Sequence, residues 1–163
     1  MKELPQRKPN RLNNHDYSQN GAYFVTMCVK DKHEILWEPV GAAICRPNPV
    51  LSPTGQMVDQ AIQRIHEFYP VIDVPCYVVM PNHIHMILII RNDGRQVAAP
   101  TISVIVGNLK RAVSILLGFS PWQKSFHDHI IRNEDDYRRI AEYIKNNPAC
   151  WEQDCFYTGN EGL

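Results

Sequence analysis

At 163 residues the chain has the length of one domain and can bury a substantial core. Its 44% hydrophobic and 21% charged residues are ordinary for a globular protein, and 17 Lys+Arg against 17 Asp+Glu leave no net charge to signal a polyanion partner. Five cysteines without a CxxC pair exclude a disulfide framework or zinc ribbon. The polar N-terminus lacks the apolar segment of a signal peptide, and no apolar run reaches the ~18 residues of a membrane span, so a reduced, cytoplasmic protein is expected.

The elements follow in order. Residues 1–21 are a polar arm holding Lys2, Arg7, Lys8 and Arg11 against Glu3. Ala22 to Lys30, rich in aromatic and β-branched residues, is the first strand. Asp31 to Leu51 is a hairpin or long loop crossing the sheet edge. Ser52-Pro53 opens a helix as N-cap and first-turn proline. Its inward stripe is Val58, Ala61, Ile62, Ile65, Phe68 and Tyr69, and Pro70 ends it. A strand pair, 72–80 and 83–91, turns at Met80-Pro81-Asn82, and a flexible loop runs from Asn92 to Pro100. Thr101 caps a second helix with Ile102, Ile105, Val106, Leu109, Ala112 and Leu116 inward, stopped by Gly118. Trp122 to Arg132 is the fourth strand. Asn133 caps a last helix, Glu134 to Asn147, ended by Pro148. Residues 22–151 form the domain and 152–163 a tail that packs on it or frays. The first six elements are a split βαβ, ferredoxin-like pattern: an α+β fold, antiparallel sheet with two helices on one face, plus an additional C-terminal helix. Such a fold hosts many unrelated functions.

The chemistry concentrates in Tyr77 to Ile90, a nearly continuous apolar run interrupted by His83 and His85. Alternate residues of a strand share a face, so the two imidazoles point one way and Ile84 the other, into the core. About 7 Å apart along the strand, they can converge on one cation with a third ligand from elsewhere. Buried imidazoles require a partner of some kind; the bland reading is a polar pair on a solvated face. On the last helix Tyr137, Ile140, Ala141 and Ile144 form the core stripe, while Tyr143 and Asn147 stack on its flank with Arg139 next along. Tyr143 and Asn147 are a nucleophile and a third ligand, or a surface tyrosine and a helix terminus.

Met80-Pro-Asn-His83-Ile-His85-Met-Ile, Phe126-His-Asp-His-Ile-Ile-Arg132 and Asp136-Tyr-Arg-Arg-Ile-Ala-Glu-Tyr143-Ile-Lys-Asn-Asn147-Pro together resemble the single-tyrosine HUH transposases, closest to their REP-associated branch, REP being short repeated extragenic palindromes. The resemblance covers roughly Ala22 to Trp151. It implies that His83 and His85 bind a divalent metal, Mg²⁺ or Mn²⁺, with Asn147 as third ligand, and that Tyr143 is the nucleophile. It further implies metal-dependent cleavage and rejoining of single-stranded DNA bearing a palindromic hairpin, by a monomer or homodimer. A tyrosine nucleophile conserves the bond energy in a 5′-phosphotyrosine, so rejoining needs no ATP. Tyr137, on the core stripe, is assigned to packing.

Lys110, Arg111, His129, Arg132, Arg138 and Arg139 are candidate DNA contacts; His127 is a further one, or a polar residue of the sheet face. Trp122 or Phe126 can stack on an unpaired base or fill the core. The tail beyond Cys150 carries Glu152, Asp154 and Glu161 and no basic residue, which argues against DNA reading there. Two rivals remain. A non-catalytic nucleic-acid-binding domain of ferredoxin-like fold would leave Tyr143 dispensable. A metal hydrolase with a water nucleophile would want a carboxylate near the metal, which the motif lacks.

Overall fold

The computed structural model describes residues 16, 18–39, 50–92 and 99–159. Residues 1–15 and 17 of the N-terminal arm, residues 40–49 of the first long connection, 93–98 of the second loop and the last four residues lie outside them. Strands β1 (Gly21–Cys28), β2 (Ile72–Val79), β3 (His83–Ile90) and β4 (His127–Ile131) pair antiparallel in the order β2-β3-β1-β4. β3 thus lies between β1 and β2, the split expected of the βαβ pattern. Pro75 sits where the β2–β3 register shifts, on an edge strand, where a residue without a backbone donor is tolerated.

Helix α1 (Pro53–Gln63), the short α2 (Ile65–Phe68) and α3 (Ile102–Leu117) cover one face of the sheet. Tyr23, Val25 and Met27 of β1 and Ile84, Met86, Leu88 and Ile90 of β3 meet Val58, Ile62, Ile65, Ile105, Val106, Leu109 and Val113 there, all buried. The caps are as expected: the Ser52 hydroxyl accepts from the Gly55 amide, Thr101 from Val104 and Asn133 from Asp136, and Gly118 closes α3 at φ 76°. Gly55 also lets the start of α1 settle on the loop before it, since a Cβ there would lie 2.0 Å from the Leu36 carbonyl oxygen.

Three expectations are corrected. Phe68 is 67% exposed rather than inward, because the helix breaks at Arg64 and restarts, turning the ring out beneath the Arg64 guanidinium. In α3 the inward stripe runs Leu109, Val113, Leu117, four residues apart, so Ala112 and Leu116 fall off it. The fourth strand spans only His127–Ile131. Before it the chain leaves the ladder, touching β1's end through a Val29–Trp122 bridge, and the Lys110 ammonium takes the carbonyls of Gln123 and Ser125. Trp122 is core, its indole donating to the Lys110 carbonyl, and Phe126 packs against the same cluster.

The other face is covered by α4 (Glu134–Asn146), whose Ile140 and Ile144 pack with Ile87 and Ile131, joined by Tyr137 and Ala141. After α4 a 3₁₀ turn, Asn147–Gln153, buries Pro148 and Trp151. Residues 154–158 then run back over the end of the sheet, where the Asn82 amide donates to the Phe156 carbonyl. No described helix is long and apolar enough to cross a membrane.

Candidate active site

His83 and His85 occupy the face of β3 turned toward α4, while Ile84 and Met86 enter the core behind them. They are 0% and 2% exposed. Their rings converge until the two Nε2 atoms stand 3.0 Å apart. Each ring is held at its other nitrogen: His83 Nδ1 lies 2.9 Å from Asn82 Oδ1, and His85 Nδ1 lies 2.8 Å from the Thr26 hydroxyl. Such partners orient imidazoles that bind a metal. Burial, with His85 alongside, pushes His83 down to about 2, and burial pushes His85 down to about 4 against the raising effect of Asp154. Both are therefore neutral at physiological pH, the form that ligates a cation.

Tyr143 projects from α4 to this pair. Its hydroxyl lies 3.3 Å from His85 Nε2 and 3.3 Å from Asp154 Oδ2, and the residue stays 43% exposed. Burial of the hydroxyl and the Asp154 charge raise its pKa to about 12, partly opposed by the neighbouring Asn147 amide. Asn147 itself is buried at 3% exposure, and neither its amide oxygen nor its nitrogen has a well-formed hydrogen bond. An orphaned amide in such a position is costly unless something else binds it.

Asp154 is the residue that sequence reasoning missed. One ligand atom from each of His83, His85 and Asp154 fall within 4.8 Å of one another, and Asp154 Oδ2 is 3.8 Å from His83 Nε2. With His83 neutral, that approach is not an ion pair. The expectation that no carboxylate stands near the histidines is thereby corrected: the acidic tail supplies one. The available signal was aromatic, since Trp151, Phe156 and Tyr157 crowd a stretch that must pack somewhere. Trp151 and Phe156 close over His83, at ring-centroid distances of 5.9 and 4.4 Å.

The candidate DNA contacts separate into two groups. Lys110 and Arg111 belong to α3, on the opposite face of the sheet, and Lys110 is engaged with backbone carbonyls. His129 shares the site's face: it pairs across from Phe24, which lies 5.2 Å from His85 and 6.3 Å from Tyr143. Its Nε2 is 2.9 Å from Asp136, which also accepts from Arg139. Those bonds, Arg139 first, hold the Asp136 carboxyl below its usual range. His127, paired with Thr26, extends the same exposed row. Arg138 is exposed near Asp135, and Arg132 is exposed at the end of β4.

No family model matches the chain. An uncharacterised protein of Haemophilus influenzae is 32% identical, the alignment spanning 93% of each chain. The REP-associated tyrosine transposase of Escherichia coli is 25% identical over 82% of this chain and 69% of its own. A solved structure of a REP-associated tyrosine transposase bound to a REP hairpin shares the fold, with a TM-score of 0.62, 24% identity, and coverage of 85% of this chain and 72% of that one. By sequence the chain is a relative of the REP-associated tyrosine transposase, and it shares the architecture of that solved structure.

Proposed function

We propose that the protein cuts and rejoins single-stranded DNA beside a palindromic hairpin. Tyr143 is the nucleophile, and His83, His85 and Asn147, joined by Asp154, hold a divalent cation, Mg²⁺ or Mn²⁺. The observation that carries this reading is the Tyr143 hydroxyl reaching both His85 and Asp154 at 3.3 Å while staying open to solvent on one side. The donor set fits a metal. Two neutral Nε2 atoms 3.0 Å apart have the spacing of donors sharing one cation at ~2.1 Å each. The orphaned Asn147 amide is a further oxygen in want of a partner.

The cation, when bound, would polarise the scissile phosphate and stabilise charge on its oxygens. The chain's own residues do the rest. Tyr143 Oη forms a bond to phosphorus as the P–O3′ bond breaks, leaving a 5′-phosphotyrosine and, once the departing oxygen takes a proton, a 3′-OH. The phenol must lose its own proton, and with His85 Nε2 given to the cation the acceptor left beside it is the Asp154 carboxylate. The reverse attack by a 3′-OH rejoins the strand. His129, Arg139 and Arg132 are the candidates to meet phosphates along the open side of the sheet, with Arg138 beside β2 a separate one. His83, His85, Tyr143 and Asp154 meet within one chain, which supports a site complete in a monomer.

Asp154 also supplies the carboxylate that a hydrolase would use, so one experiment must separate the two chemistries. The protein is incubated with labelled single-stranded hairpin oligonucleotides and Mn²⁺, denatured, and probed for DNA attached to protein. A covalent band absent in Tyr143→Phe is expected. Cleavage without a band would indicate a water nucleophile. Hairpin binding without cleavage would indicate a binding module.

A further inference from the structure

We infer that Asn82 is a positioning residue: it fixes the tautomer of His83 and ties that ligand to the strap bearing Asp154. The inference rests on the metal reading above. Asn82 ends the tight turn before β3 and is 1% exposed. Its Nδ2 lies 2.9 Å from the Phe156 carbonyl oxygen and 3.3 Å from that of Lys32. Carbonyl oxygens only accept, so this network assigns the nitrogen to that side and Oδ1 to the other, 2.9 Å from His83 Nδ1. An amide oxygen also only accepts. His83 must then carry its hydrogen on Nδ1, and the neutral ring presents a bare lone pair at Nε2.

His85 is held differently. Its partner, the Thr26 hydroxyl, can donate or accept, so either tautomer is satisfied. Without a cation, a hydrogen on His85 Nε2 is donated to His83 Nε2 across their 3.0 Å separation, and Thr26 donates to His85 Nδ1. With Nε2 given to a cation, the ring's one hydrogen sits on Nδ1 and Thr26 accepts it. One histidine is preset and the other adapts. Asn82 also closes a ring of contacts. The Phe156 amide donates to Asp154 Oδ1 at 2.7 Å, and Asp154 Oδ2 returns to within 3.8 Å of His83. A turn residue needed only for its backbone shape would have no use for this side-chain network.

The test measures Mn²⁺ affinity by calorimetry, without DNA, in wild type, Asn82→Leu and Asn82→Asp. It is paired with a long-range ¹H–¹⁵N spectrum of the wild-type imidazoles. Asn82→Leu should bind Mn²⁺ about 10–100-fold more weakly. Asn82→Asp keeps the acceptor for His83 Nδ1 and should bind Mn²⁺ more tightly than Asn82→Leu. Its second oxygen faces two carbonyls, so it should free the strap to faster chymotrypsin cleavage at Phe156. The metal-free spectrum should show hydrogen on His83 Nδ1. Hydrogen on Nε2 instead, undiminished affinity in Asn82→Leu, equal weakening in both variants, or a strap no easier to cut in Asn82→Asp would each overturn the role. If Asn82→Leu fails to fold, the aspartate variant and the wild-type spectrum decide. A wild-type protein that binds no Mn²⁺ overturns the metal reading itself, while the spectrum still judges the tautomer.

Discussion

The two faces of this sheet are made from the same strands and do opposite work. On the α1/α3 face, β3 presents only Ile84, Met86, Leu88 and Ile90, which meet the helices in an apolar layer. On the α4 face the intervening residues of β3 begin with His83 and His85, and one helix plus the C-terminal strap cover only part of the surface. Phe24, His127 and His129 remain beside the site, with both of these histidines exposed. A closed apolar layer stabilises; a partly open one with buried polar groups gives up packing for a place where a charged ligand can be held. One strand can serve both because its period of two separates the demands completely.

That contrast can be broken in graded ways. His83→Ala should abolish metal-dependent cleavage, read by gel assay; undiminished cleavage would remove His83 from the site. Its neighbour Ile84→Ala, pointing the other way, should cost about 2–5 kcal/mol of stability through the cavity it leaves, measured by denaturant titration. Acid should act on the site face. His83 and His85 have folded pKa values of about 2 and about 4, below the unfolded value near 6.5, so the unfolded chain binds more protons in that window. Stability of the metal-free protein is full above pH 6.5 and falls as pH drops toward 4, by about 3 kcal/mol for His85 alone. A melting temperature flat over that range would contradict the burial of neutral imidazoles.

Two smaller effects sharpen the picture. Mn²⁺ at a hundred times its dissociation constant should stabilise the fold by about 2.7 kcal/mol, and His83→Ala should erase that gain. Arg139→Ala should weaken hairpin binding about equally for different sequences and reduce the salt dependence by roughly one phosphate contact, whereas Arg111→Ala, on the far face, should change neither.

Much of the fold was legible because its signals are local. Ser52, Thr101, Asn133 and Gly118 mark helix ends by chemistry that acts within four residues, and each does so in the structure. The misreadings share a cause. Phe68 keeps helical spacing in sequence, but a break at Arg64 rotates it outward. Residues 122–126 have the composition of a strand, yet Lys110 satisfies the carbonyls of Gln123 and Ser125 from a helix thirteen and fifteen residues away. Composition records what a residue can do, not which partner reaches it first.

The site divides along the same line. Strand alternation alone put His83 and His85 on one side and Ile84 on the other, and helical spacing alone set Tyr143 and Asn147 one turn apart beside the core stripe; these follow from backbone geometry, which any neighbouring residues obey. Asp154 is another matter. It lies eleven residues past Tyr143 in an acidic tail, and it reaches the histidines because Pro148 and Trp151 bury in a turn that reverses the chain and the Asn82 amide anchors Phe156 beside them. Those contacts join segments about seventy residues apart, so their existence depends on the whole sheet having formed, a condition no local pattern encodes.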